Sequence, residues 1–254
     1  MSTDNTSVIN KNNLDNYLNE LSKAYKKLAG RKTVVEIILT GGAAIIENYG
    51  FRDMTTDVDA IYNSSSALKE AINIVGDKYG LPNGWLNDDF KKTTSYSPKL
   101  YQYCVPYKTF IQVLNIRTVT SEYLIAMKLK AGREYKNDLS DIVGILSEHQ
   151  KKDNPITYEQ VDTAVKNLYG GWEDFDETAI TFIKDVFANG NFEELYTVTR
   201  DNEKEAKKQL TDFNENYPDV LKTENVHSVL QNLRAKQAEV QKRKPNKKRD
   251  DLER

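Results

Sequence analysis

A single cysteine, Cys104, excludes an internal disulfide and leaves a cysteine-built zinc site without ligands. The expected role of that thiol is a buried structural one. Only two histidines occur, His149 and His227, both in polar surroundings. Surface positions are expected for them, and a histidine-driven mechanism has little to draw on. No apolar run is long enough to span a bilayer, and residues 1–6 are polar with no signal-peptide core. These absences predict a cytoplasmic protein with no membrane partner. Neither sign of charge is in excess. A net charge of −2 excludes nucleic-acid adhesion by the whole molecule, so any such contact needs a local patch.

What is present suffices for real cores. The chain has 254 residues, 39% hydrophobic and 29% charged, enough for one large domain or two smaller ones with wet surfaces. Helical apolar spacing over residues 13–28 (Leu14, Tyr17, Leu18, Leu21, Tyr25, Leu28) predicts an amphipathic helix. Residues 34–39, Val-Val-Glu-Ile-Ile-Leu, read as a strand, and a short helix over 43–48 follows. A second strand is predicted at 58–62, then a helix over about 67–79 capped from Ser64, Ser65 and Ser66. Residues 80–92 read as loop. Residues 99–106 read as a tyrosine-rich strand, and 109–116 as a better one. Helices follow at about 121–131, capped by Thr120 or Ser121, and at about 137–149. Residues 151–155 look like a linker. The remainder is helical, with apolar stripes at Phe182, Val186 and Phe187 and at Val226, Val229, Leu230 and Leu233. The boundaries expected are a mixed α/β domain over 1–150, a helical C-terminal domain over 155–241 and a basic flexible tail over 242–254.

Two short stretches carry chemistry. Leu39-Thr40-Gly41-Gly42-Ala43-Ala44 sets a glycine pair where a strand turns into a helix. Glycine lets backbone N–H groups approach a phosphate, and a helix N-terminus favours an anion. Thr40 and Thr55 can add hydroxyl donors. Thr55-Thr56-Asp57-Val58-Asp59 then opens the second strand. Residues i and i+2 of a strand share a face. Two carboxylates held side by side repel each other and favour a divalent cation between them.

Gly41-Gly42, Arg52, Thr55 and Asp57-Val58-Asp59 together resemble the signature of the nucleotidyltransferase superfamily that includes DNA polymerase beta. More narrowly, they are similar to bacterial abortive-infection and toxin–antitoxin nucleotidyltransferases. A second region is similar too: a lysine, four residues, an arginine, then an aspartate on a helix. Here these are Lys128, Arg133 and Asp138, with Asp141 close behind. The resemblance spans roughly residues 34–146. It implies an α/β (α+β) fold, a mixed sheet flanked by helices with the site at the strand ends. It also implies that Asp57 and Asp59 bind Mg²⁺ or Mn²⁺, that Gly41 and Gly42 hold the triphosphate of an NTP, that Lys128 contacts phosphate or acceptor, and that Asp138 orients Lys128 or Arg133. Lys128 and Arg133 lie about one and a half turns apart, so a bend at Gly132 is needed to bring them together.

Three departures from the pattern bear on activity. Gly42 replaces a common serine. Arg52 stands one residue further from Asp57 than usual. The later strand that carries a third acid in polymerase-like members offers only Gln112 and Asn115, and an amide cannot take a proton at neutral pH. The expected function is Mg²⁺-dependent transfer of an NMP from an NTP to a hydroxyl of RNA (tRNA included), protein or a small molecule. A place as the toxin or modifying half of a defence system, with a cognate antitoxin or toxin, is implied by the resemblance alone. The missing acid keeps a second reading open: a non-catalytic nucleotide- or partner-binding module. The tail over 242–249 can touch RNA phosphates or simply solubilise. Tyr96, Tyr101, Tyr103 and Tyr107 can stack bases or cover a half-buried strand.

Overall fold

The computed structural model describes residues 9–49, 51–52, 54–222 and 224–243. The chain opens with helix α1 (Lys11–Ala29), whose Asn10 side chain accepts from the Asn12 and Asn13 amides. Its apolar positions Leu14, Leu18 and Leu21 are fully buried. Strand β1 (Val35–Leu39) leads directly into α2 (Gly41–Asn48), and β2 (Val58–Tyr62) leads into α3 (Ser66–Tyr79). Ser65 caps α3 through the Leu68 amide. The stretch expected to be loop contains a two-residue strand β3 (Leu86–Asn87) and a 3-10 turn at Asp89–Lys92. A second 3-10 turn, Pro98–Tyr103, precedes the hairpin β4 (Cys104–Phe110) and β5 (Leu114–Val119). Helices α4 (Ser121–Ala131), α5 (Asp138–Lys151), α6 (Tyr158–Tyr169), α7 (Glu177–Asn189), α8 (Phe192–Asn216) and α9 (Val226–Arg243) complete the described chain. The tail lies outside the described residues from 244 onward.

The five strands form one mixed sheet in the order β3-β2-β1-β5-β4. The central strand β1 runs antiparallel to β2 and parallel to β5. Its apolar side chains on both faces fit a strand covered on both sides. The antiparallel register pairs Leu39 with Ala60, which brings Asp59 beside Thr40 at the turn into α2. Helices α1 and α3 pack together, α4 is packed by α5 and α6, and α5 lies along α8. One apolar core extends from Ile9 to Phe192, and a small second cluster gathers Ala206, Leu210, Val226 and Leu230. Among the described residues no helix is long and apolar enough to cross a membrane.

Two strand expectations are corrected. The continuous strand expected at 109–116 is a hairpin corner. Ile111 and Gln112 both have positive φ, 46° and 59°, and the Val113 amide donates to Phe110 O at 3.1 Å. That is the turn type whose twist matches paired strands, built here without glycine or asparagine. Gln112 therefore sits at the start of β5, while the glycine turn sits at the far end of β1. Strand rise alone separates the two by about 13 Å or more. Asn115 is occupied as well, accepting from Thr109 Oγ1 at 2.9 Å. Neither amide can replace a third carboxylate at the site. The second correction concerns residues 99–103, which coil into the 3-10 turn before β4 begins.

The tyrosines serve packing. Tyr103 stacks on Tyr123, with centroids 3.8 Å apart, Tyr96 meets Phe90 edge-on, and Tyr107 donates to Asp15 and Glu47. Cys104 is buried with Sγ donating to Leu100 O at 3.1 Å, and burial pushes its thiol up to about 11. His227 is exposed as expected. His149 is not a plain surface residue: its Nε2 meets Ser121 Oγ at 2.8 Å and its Nδ1 meets Asn154 O at 3.1 Å.

Candidate active site

Three segments converge at the carboxyl end of β1. The first is the turn into α2. Thr40 is fully buried, and both its amide (2.9 Å) and its hydroxyl (3.0 Å) donate to Asp59 O. Those bonds fasten the turn to β2. The Thr40 hydroxyl, expected to face a ligand, is buried and donates to Asp59 O in this structure. The N-cap residue Thr40 makes no side-chain cap bond to α2.

The glycines explain themselves sterically. Gly41 has φ +55°, and a Cβ there would lie 2.9 Å from Asp59 Oδ2. At Gly42 a Cβ would lie 2.8 Å from both Arg52 Nη2 and Thr55 Oγ1. The turn is thus crowded by the side chains of Asp59, Arg52 and Thr55, which an added Cβ would have to displace. Thr55 is held by a two-bond bridge to Ile9, which leaves its hydroxyl directed at Gly42.

The second segment is the start of β2. Asp57 and Asp59 are half-buried, and among the described residues neither forms an ion pair. Burial raises the Asp59 carboxyl above the usual carboxylate range, and the charge of Asp57 raises it further. Arg133, Lys128 and Lys136 pull the other way without cancelling that rise. The two acids therefore concentrate negative charge beside a turn where an added Cβ would press on Asp59, Arg52 and Thr55.

The third segment is the end of α4, the following loop and the start of α5. Gly132 ends α4 in a left-handed conformation, which turns Arg133 back toward the helix it has left. Lys128 Nζ lies 2.9 Å from Asp138 Oδ1 and 2.6 Å from Asp141 Oδ2. Arg133 Nε lies 2.7 Å from Asp138 Oδ2, and Arg52 Nη1 lies 2.6 Å from Asp141 Oδ2. Three cations and two acids thus form one continuous chain. Asp138 and Asp141 are each 3% exposed and Lys128 8%, whereas Arg133 is 40% exposed.

This exposure pattern separates their surroundings. Lys128 is enclosed between carboxylates, and its charge favours the ionised form of Asp59. Asp138 is tied to both Lys128 and Arg133. Arg133 is the accessible cation. Burial works against the Asp138 charge, but Lys128 and Arg133 outweigh it and hold the carboxyl down at about 2. Burial also works against the Lys128 charge, and Asp141 and Asp138 overcome it to hold the ammonium above its ordinary value.

Sequence reasoning named Arg52 and Asp141 without finding that they bind each other, since 89 residues separate them. It missed Lys136, which favours the charged form of Asp59 from the α4–α5 loop. Its position three residues past Arg133 was the only signal. It also missed Glu203, which reaches this region from α8.

Gly41→Ala tests the packing of the turn directly. A left-handed alanine costs about 1–2 kcal/mol, and the added methyl presses on Asp59. A thermal melt is expected to show that loss, and Mn²⁺ binding is expected to weaken with it. An unchanged melt with unchanged Mn²⁺ affinity would mean that the turn is slack.

Over residues 16–179 the chain matches the family described as "Nucleotidyltransferase of unknown function (DUF6036)". No curated protein and no solved structure matches it.

Proposed function

The chain belongs to this nucleotidyltransferase family, and we propose that its site moves a nucleoside monophosphate from an NTP to a hydroxyl, releasing pyrophosphate. The observation that carries the reading is the Asp57–Asp59 pair. Among the described residues these acids form no ion pair, and they lie next to a glycine turn and within the field of Arg133, Lys128 and Lys136.

The donor set fits Mg²⁺ or Mn²⁺. Mg²⁺ is typically held by one or two carboxylates together with substrate phosphates and water. Asp57 and Asp59 would hold it, and among the described residues no group of three or more acids, histidines or cysteines competes. Such an ion, when bound, neutralises the triphosphate and makes the acceptor hydroxyl easier to ionise. Gly41 and Gly42 would let the triphosphate approach the start of α2, with Thr55 Oγ1 at its side. Arg133 and Lys136 would face its outer charge. Asp138 keeps Arg133 in place, and Lys128 and Asp141 continue the ion-pair chain behind it. Positioning and charge are the main needs of this chemistry.

Acceptors within this reading are RNA (tRNA included), protein or a small molecule. A toxin or modifying role with a cognate partner rests on the likeness of the motifs to abortive-infection enzymes and on nothing further. A specific observation also favours the binding-module reading: β5 carries no acid, and Gln112 lies in the hairpin corner.

The test is an assay with labelled NTPs, Mg²⁺ or Mn²⁺, and total tRNA and lysate protein as acceptors. Label transfer that disappears in Asp57→Asn is the expected result. Tight NTP binding with no transfer to any acceptor would replace the enzyme with the binder.

A further inference from the structure

Helix α5 starts without a local cap. Its N-cap residue Asn137 contributes no side-chain bond, and Asp138 and Asp141 in its first turn aim their carboxylates at Lys128, Arg133 and Arg52 instead. The amides of that turn still need acceptors. Glu203, from the middle of α8, supplies them. Its Oε1 accepts from the Leu139 amide at 2.8 Å and its Oε2 from the Ser140 amide at 3.3 Å.

Three carboxyl groups thus meet at one helix end, and Glu203 is 3% exposed. A serine or aspartate at position 137 would cap α5 with far less buried acid. The arrangement used instead makes the start of α5 depend on the docking of α8. The same α8–α9 pair grips the preceding loop. Tyr135 packs against the cluster of Ala206, Leu210, Val226 and Leu230, and Arg234 of α9 pairs with Glu134. Arg133 and Lys136, the two loop cations that act on Asp59, flank those two anchors.

We propose that Glu203 is a positioning residue for the cationic side of the site: by capping α5 it fixes Asp138 and Asp141, so that Asp138 holds Arg133 toward the substrate phosphates while Lys128 and Arg52 stay locked in the ion-pair chain behind it. The word phosphates rests on the nucleotidyltransferase reading above; the positioning does not. Burial, helped by Asp141 and opposed by the bonds to Leu139 and Ser140, raises the Glu203 carboxyl to about 8. A neutral Glu203 keeps an acceptor oxygen for the Leu139 amide, so Gln can stand in for it.

The experiment uses the full chain at pH 7 with Glu203→Met, Glu203→Leu and Glu203→Gln. Met and Leu keep apolar bulk but remove both acceptors. Two quantities are read besides far-UV circular dichroism. One is the Kd of a fluorescent nucleoside triphosphate with Mg²⁺. The other is hydrogen exchange at Arg133 Nε–H by NMR, which needs no nucleotide.

The expected result for Met and Leu is a folded protein with Kd raised about tenfold or more, equivalent to about 1.4 kcal/mol, and faster exchange at Arg133. Gln is expected within about threefold of the unchanged chain on both readouts. Unchanged Kd and exchange in Met and Leu would overturn the proposal. So would failure of Gln to restore what Met and Leu lose. Failure of both Met and Leu to fold would also overturn it, because Glu203 would then hold the fold and not the cations. If the unchanged chain binds no triphosphate, the nucleotidyltransferase reading fails, and Arg133 exchange alone decides the role of Glu203.

Discussion

Asp59→Asn is expected to lose nucleotidyl transfer by roughly a hundredfold to a thousandfold, the range seen when one preorganised charge-stabilising group is removed. It is also expected to unfold at the same temperature as the unchanged chain or higher. The two outcomes have one cause. Burial first, and then Asp57, raise the Asp59 carboxyl in the folded protein. A group whose folded pKa is raised contributes stability that is full below its unfolded pKa. That stability is lost as pH rises through the folded value. Ionising Asp59 therefore weakens the fold, and the amide removes the weakness while keeping the shape.

A group that costs stability where it stands needs another reason to be there, and the proposed cation binding supplies one. Mn²⁺ should accordingly raise the melting temperature of the unchanged chain and leave Asp59→Asn where it was. A clear loss of stability in Asp59→Asn without metal would be fatal to this account. The acid would then be a structural partner and not a ligand.

Lys128→Met is expected to be less stable by about 3–5 kcal/mol, the cost of leaving a buried pair without its partner. Methionine matches the length and packing of the lysine stem, so lost bulk contributes little. What remains is Asp138 and Asp141, each 3% exposed, with Arg133 and Arg52 reaching them from more solvated positions. The pH dependence carries a second signature. Asp138 is held at about 2 in the folded chain, below the ordinary 3.8. Its contribution is present above pH 3.8 and is lost as pH falls toward 2. Lys128 supplies much of that contribution, so the deficit of Lys128→Met should be largest at neutral pH and narrow below about pH 4. Urea unfolding at pH 7 and pH 3.5 measures both. An equal deficit at the two pH values would show that packing, not charge, is what Lys128 provides.

Much of the architecture was legible because it follows from local physics. Leu14, Leu18 and Leu21 recur at helical spacing and lie at 0% exposure in α1. The β-branched run of β1 stops at glycine, and α2 begins there. Period-2 spacing in Asp57-Val58-Asp59 predicts two acids on one strand face; Asp59 lies in β2, and Asp57 stands in the bend just before it. The hairpin corner was not legible, for an equally physical reason. Ile111 and Gln112 resist left-handed backbone, and nothing in their identity announces a turn. They adopt it because Phe110 pairs with Leu114 and the strands on either side need that twist. The same failure of local signal hid the end of Gln112 as a candidate ligand.

The site divides along the same line. Gly41-Gly42 and the aspartate pair fall within 19 residues, and the short antiparallel connection between β1 and β2 leaves few places for them to go. Their types and order alone placed a glycine turn close to an acid pair. What the acids face was decided only when the chain closed on itself. Arg52 meets Asp141 across 89 residues, and Glu203 meets Leu139 across 64. Contacts at such separation leave no periodicity in the sequence, because the entropy of closing long loops is met by the packing of whole helices and not by neighbouring residues. Burial then sets the charge state of each group, and burial belongs to the folded molecule.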